Sequence, residues 1–253
     1  MSYRPIQQYP STAPLGLIYN AHMAKQVPPG MDPADVLDWY IYDTFRYKAA
    51  TAMPTGEARF FQLGIGADTG VANAPTERYT KSGFDTNLDD GVRLQRGEVM
   101  IVDTIQICVE FSGSTDTTYP TSGVGAEEPT NLTAAAAISS SNAISAICFQ
   151  GRIQFTVGNK DYERGQLIQF PSEFGFSGWA GAGSGATTAV NAIENTEAHV
   201  NNGFGQCRFL RWPRMIPSLT NFYVSLFWLQ AFTNPRQFNL RCYLGGSLYR
   251  NVQ

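Results

Sequence analysis

Few residues in this chain have the types and spacing that chemistry requires. There are 2 histidines and 4 cysteines. His22 lies in a proline-rich N-terminal stretch and His199 in a Gly/Ala/Ser-rich one, and neither has a ligand or triad partner close in sequence. Cys108, Cys148, Cys207 and Cys242 each sit in or beside an apolar run, and C-x-x-C spacing is absent. They read as thiols acting as small hydrophobes, with pairing left open. No H-E-x-x-H, G-x-S-x-G or Cys/His cluster occurs. Asp89/Asp90 and Glu127/Glu128 have the groups that glycoside hydrolysis uses. That chemistry, however, takes its acid and its base or nucleophile from separate elements. Adjacent carboxylates in turns are more simply solvated. Asp85, Asp89 and Asp90 match calcium ligands only loosely, without the twelfth-position Glu and following helix of an EF-hand. G-I-G-A-D-T-G (64–70) lacks the spacing and the helix of a phosphate-binding loop. The expectation is a protein that is not an enzyme, with no catalytic, cofactor-binding or metal-ligating residue.

Aromatic side chains offer a different chemistry, stacking on a sugar or a partner. Trp212 and Trp228 lie in strand-like runs and read as core. Trp179, in a Gly-rich loop, is the one expected at the surface. The sequon Asn131-Leu132-Thr133 carries no weight without a secretory context. Charged residues make up only 15% of the chain, against roughly 25% in an ordinary soluble domain. Hydrophobic residues are 43%, enough for a sizeable core. A surface so poor in charge suits a protein covered by neighbours, or a neutral extracellular domain. Net charge is −3, unevenly spread. Residues 1–150 hold 9 basic and 16 acidic groups and residues 151–253 hold 9 and 5, hence −7 and +4. Opposite signs on two faces would favour head-to-tail contact between copies; signs that cancel around one fold would not.

The elements that must position these residues are mostly strands. Residues 1–31 contain Pro5, Pro10, Pro14, Pro28, Pro29 and Gly30 and read as an extended arm. With only Arg4 and Lys25, that arm is no electrostatic match for nucleic acid. It has no apolar signal-peptide core, and no run approaches a membrane span, which predicts a chain made in the cytosol that stays soluble or leaves by a route other than a signal peptide. Asp32-Pro33-Ala34-Asp35 has the cap, proline and acid of a helix start, so a short helix is expected over 33–48, although W-Y-I-Y-D-T-F-R-Y within it is also strongly β-prone. Strands are expected at 57–65, at Val99–Phe111 with both faces apolar, at Ile147–Val157 and at Gln166–Phe170, with a turn at Gly158-Asn159-Lys160. Long insertions separate them at 112–144, with a short helix expected at 132–138, and at 172–206. From Cys207 to Gln253, aromatic and β-branched runs cut by Pro and Gly form the last strands. A final core strand must pair far back in the chain, as in Greek-key and jelly-roll sheets. Leu240–Leu244 is therefore expected beside Ile101–Val109. The division is an N-terminal arm and helix over 1–56 and one β domain over 57–253.

The phrases L-Q-R-G-E-V-M-I-V-D-T-I, G-R-I-Q-F-T-V-G-N-K-D-Y, Q-L-I-Q-F-P, L-R-W-P-R-M-I-P-S-L-T-N-F-Y-V-S-L and L-G-G-S-L-Y-R-N-V-Q stand in an order that resembles a jelly-roll major capsid protein of a tailless icosahedral bacteriophage. The resemblance covers about residues 57–253. It implies an all-β jelly-roll (Greek-key) β-sandwich whose copies tile a virion shell, made in the host cytoplasm. Its partners would be itself and other virion proteins, and it would need no cofactor. Too few strand runs for two sandwiches, and no internal repeat, favour a single jelly roll. The alternative is a carbohydrate-binding β-sandwich, such as a phage spike or lectin-like module.

Overall fold

The computed structural model describes residues 15–28, 31–32, 35–48, 51–53, 55–70, 78–111, 146–172, 207–231, 233–234 and 238–250. The expected helix at 132–138 and nearly all of both insertions lie outside these residues.

Among the described residues, ten strands and an α-helix carry the fold, with a further helical turn at 146–150. They are α1 (Leu15–Met23), β1 (Val36–Tyr47), β2 (Thr51–Ala52), β3 (Ala58–Phe60), β4 (Glu98–Phe111) and β5 (Gly151–Val157), then β6 (Lys160–Gln166), β7 (Arg208–Ile216), β8 (Phe222–Trp228), β9 (Thr233–Asn234) and β10 (Phe238–Arg250). Two antiparallel four-stranded sheets have the orders β1-β10-β4-β7 and β3-β8-β5-β6, and β2 pairs with β9 separately. One apolar cluster draws on both sheets, so the two layers form a β-sandwich. Phe45 of β1 stacks on Phe60 of β3 at 4.2 Å, and Tyr47 of β1 stacks on Phe238 of β10 at 4.7 Å.

The expected pairing of the last strand is present. Leu240 lies opposite Val109 and Leu244 opposite Ile105. On its other side β10 pairs with β1 over twelve positions, Val36↔Tyr249 to Tyr47↔Phe238. Residues 36–47 are therefore an edge strand, which corrects the helix expected at 33–48. The helix-start signals serve only a turn: Asp35 N–H donates to the Asp32 carbonyl at 2.9 Å, and Asp35 Oδ2 accepts from Asp32 N–H. Beyond it, V-L-D-W-Y-I-Y-D-T-F-R-Y is rich in residues that fit a pleated surface, and pairing with β10 decides the outcome.

The helix that does form, α1, lies within the stretch read as extended. Ile18 and Ala21, three residues apart, are its buried face. Ile18 packs with Val99, Ile101 and Tyr249 on the outside of the first sheet. Nine residues are too few for a stable helix in water, so this docking sustains it.

The two apolar faces of β4 have a geometric cause. β10 skips one residue of β4, pairing Gly245 with Thr104 and Gly246 with Val102. Asp103 is thus a bulge, and a bulge exchanges the faces of the strand. Met100, Val102, Ile105, Ile107 and Val109 belong to the inner core, whereas Val99 and Ile101 belong to the cluster under α1.

Three further expectations shift. The strand expected at 57–65 is only Ala58–Phe60, because Phe61 turns to φ 68°. Residues 146–150 are helical, and the strand begins at Gly151. β6 pairs with β5 directly from the Gly158 turn, so its strand is complete by Gln166; Leu167–Gln169 form a 3-10 turn where a strand was expected. Gly64 of G-I-G-A-D-T-G serves close approach. A Cβ there would lie 2.1 Å from the Asp89 carbonyl oxygen, and one on Gly91 would lie 2.1 Å from that of Gln62.

Candidate self-association surface

The residues singled out for chemistry are dispersed. His199, Glu127, Glu128, Asn131 and Trp179 lie outside the described residues. None of the four cysteines is in a disulfide. Burial pushes the Cys148 thiol up to about 11 and holds the Cys242 thiol well above its ordinary value, so both are poor nucleophiles. Asp85 pairs with Arg46, while Asp89 accepts from Gln95 Nε2 at 3.0 Å, so the calcium-like aspartates point to separate partners. Among the described residues no group of three or more His, Cys, Asp and Glu is placed to hold a metal. No helix among them is long and apolar enough to cross a membrane.

His22 has partners that sequence proximity could not show. Its Nε2 lies 2.9 Å from Asp103 Oδ1 and its Nδ1 lies 2.9 Å from the Tyr249 hydroxyl. An Asp–His–hydroxyl series suggests nucleophilic catalysis, but Tyr249 is only 2% exposed beneath α1. A substrate has no approach to that hydroxyl, and the cluster fastens α1 to the bulge of β4. The one available signal is an acid, Asp103, flanked by the apolar run Val99–Val102 and by Ile105 and Ile107 within β4.

The tryptophans divide differently from expectation. Trp228 is 4% exposed in the core, as expected. Trp212, expected in the core, is 55% exposed, and Phe209 beside it is 73% exposed. The cause is local. β7 pairs with β4 at Arg214–Ile216 and again at Arg208–Phe209, and the register skips between. Pro213 stands in the skipped stretch and has no N–H to donate. Residues 210–213 therefore leave the ladder, which turns Trp212 outward.

β7 ends the first sheet on one side and β1 ends it on the other. The β1 side carries Trp39 (38% exposed) and Tyr40 (39%) beside the exposed Asp38. The β7 side carries Phe209 and Trp212 with Arg211 exposed between them and Arg214 half-buried. The β1 edge thus combines aromatic surface with the Asp38 carboxylate, with the Arg250 guanidinium 5.7 Å from the Trp39 ring centre, and the β7 edge combines aromatic surface with the cations Arg211 and Arg214. Beside β7 a cleft of about 470 Å³ is lined by Tyr19, Lys160, Tyr162 and Arg214 among others, with the Arg214 guanidinium 4.9 Å from the Tyr162 ring centre. Its two charged lining residues are cations.

Comparison with family models, with curated proteins and with solved structures finds no match for this chain.

Proposed function

We propose that this chain is a structural subunit that self-assembles into a virion shell, built as a single jelly roll. The observation that carries the proposal is the order of strand pairing. Without the two-residue strands β2 and β9, eight strands remain, and they pair as first with eighth (β1–β10), second with seventh (β3–β8), third with sixth (β4–β7) and fourth with fifth (β5–β6). Such nesting is what a long antiparallel hairpin makes when it rolls into two sheets, with neighbours then joined by β10–β4 and β5–β8. The resemblance in the sequence points to the same architecture.

The mechanism is binding. Aromatic β1, with the exposed Asp38, and aromatic β7, with the exposed Arg211, form the two ends of one sheet, an arrangement suited to head-to-tail contact. Such contacts between copies close into rings or shells when the rotation permits, and many weak interfaces sum to a stable particle. Electron microscopy and light scattering of the purified full chain test this, with large regular particles expected. A persistent monomer at high concentration, with no virion containing the chain, would sink it.

A second reading, a carbohydrate-binding sandwich, is favoured by one observation: Phe209 and Trp212 stand exposed on one edge, as a sugar-stacking platform would. It predicts saturable glycan binding lost on Trp212→Ala. A glycan array without hits removes it.

A further inference from the structure

Lys81 and Asp43 form the most deeply buried ion pair among those described, with both side chains 1% exposed. Lys81 stands in the connection between β3 and β4, and Asp43 stands in the middle of β1. Lys81 Nζ touches Asp43 Oδ1 directly and lies 3.3 Å from the Thr44 carbonyl oxygen. The Phe45 ring centre is 5.3 Å away. Two backbone groups hold the carboxyl: Thr44 N–H donates to Oδ1 at 2.9 Å and Phe61 N–H to Oδ2 at 2.6 Å. Phe61 adopts φ 68°, a conformation unusual for a residue with a Cβ. An adjoining cavity of about 10 Å³ is on the order of the space that one water fills.

We propose that Lys81 and Asp43 condense into an intramolecular isopeptide bond that ties the β3–β4 connection covalently to β1. The ionised pair cannot react, since an ammonium has no lone pair and a carboxylate is a poor electrophile. Transfer of a proton from Nζ to Oδ1 yields an amine beside a neutral acid. Burial favours that neutral pair, and it also holds the Asp43 carboxyl above its ordinary value, against the opposing pull of Lys81. The Nζ lone pair then attacks Cγ, and the C=O electrons move to Oδ2. There the Phe61 N–H already points at the developing oxyanion. The Cγ–Oδ1 bond breaks, Oδ1 takes one proton from Nζ, and water leaves. Amine and acid become amide and water, with no other reactant. Enforced contact in a dry site supplies the proximity such a step needs.

The bond would form within one chain, so it does not depend on the shell reading. The test is the intact mass of the purified full chain under denaturing, reducing conditions, followed by peptide mapping. The expected mass is lower than that of the sequence by one water, with the peptides containing Asp43 and Lys81 joined. Lys81→Arg, which keeps the charge, should restore the full mass. Wild-type protein of full sequence mass, fresh and after prolonged incubation, overturns the proposal. So does a water loss that maps to Asp90-Gly91 as a cyclic imide and persists in Lys81→Arg. The wild-type measurement decides the matter even if the variant does not fold.

Discussion

Along β1 the open edge of the first sheet is occupied by other parts of the same chain. Asn87 Oδ1 accepts from Tyr42 N–H at 3.0 Å, Asn87 Nδ2 donates to the Tyr40 carbonyl at 2.7 Å, and the Tyr79 hydroxyl donates to the Thr44 carbonyl at 2.7 Å. Arg46 grips Asp85 through two nitrogens, and Lys81 is buried against Asp43. Along β7 the opposite device operates. Pro213 and the skipped register break the ladder and leave Phe209 and Trp212 outside. Both devices protect an edge from indiscriminate strand addition, one by covering it and one by disrupting it. The second leaves the larger aromatic surface free for a partner, while at β1 Trp39 and Tyr40, at the start of the covered stretch, stay exposed. Stability should therefore concentrate at β1 from Tyr40 onward, and association at β7.

The largest effect should come from Asp43→Ala. It leaves the buried Lys81 without its partner, ion-paired or amide-linked, and removes the acceptor for Phe61 N–H, a loss of at least about 3–5 kcal/mol. Urea unfolding followed by tryptophan fluorescence measures it. A loss no larger than that of a surface substitution would mean that β1 is not the pinned edge. Arg46→Ala comes next, at about 2 kcal/mol, because Asp85 is 2% exposed and loses its bidentate partner. Asp85 keeps donors in the Ser82 N–H and hydroxyl, which is why the effect is the smaller.

This contrast also marks what could be read from the chain. Long-range pairing of β10 with β4 was legible, because both runs are long and apolar and the last strand had few other places to go. β1 carries β-prone residues, but Asp32-Pro33 supplies local helix signals that favour a helix until β10, about two hundred residues on, overrides them. Trp212 looked like core because a strand-like run conceals one skipped register. The Asp43–Lys81 pair gave no signal at all: each is a single charge in an ordinary context, and the fold alone brings them together. The charge imbalance between the two parts of the chain was visible, but which single charges, Asp38 on β1 and Arg211 on β7, stand exposed at the sheet edges required the topology.

The β7 side is tested by Phe209→Ser with Trp212→Ser. Away from buried partners, these should change unfolding free energy by no more than about 0.5 kcal/mol each. Sedimentation and light scattering should nevertheless show assembly lost, and higher salt should weaken assembly of the unaltered chain, as expected for edges of opposite charge. Folded variants that assemble normally would remove β7 as the contact surface while leaving the shell proposal to other surfaces.

The smallest effect belongs to an edge of the second sheet, where an exposed pair can be set against the buried one. Beside β3, Glu57 accepts from Arg59 Nε at 2.7 Å and from the Ser225 hydroxyl of β8. The Arg59 hydrogen bond, the largest influence, holds the Glu57 carboxyl below its ordinary 4.5 despite partial burial. A folded-state value below the unfolded one contributes stability that is present above 4.5 and is lost as pH falls through the lower folded value. Glu57→Gln should therefore leave stability nearly unchanged at acid pH, where the wild-type group is already protonated. It should lower stability slightly near neutrality, so that the variant's urea midpoint varies less with pH than that of the unaltered chain. Solvent screening keeps this contribution small, since Arg59 is 39% exposed. A parallel pH dependence in the two proteins would show that the pair adds nothing to the fold. The covered edge at β1 would then owe its stability to burial alone, since the same ion-pair chemistry in water would have no measurable consequence.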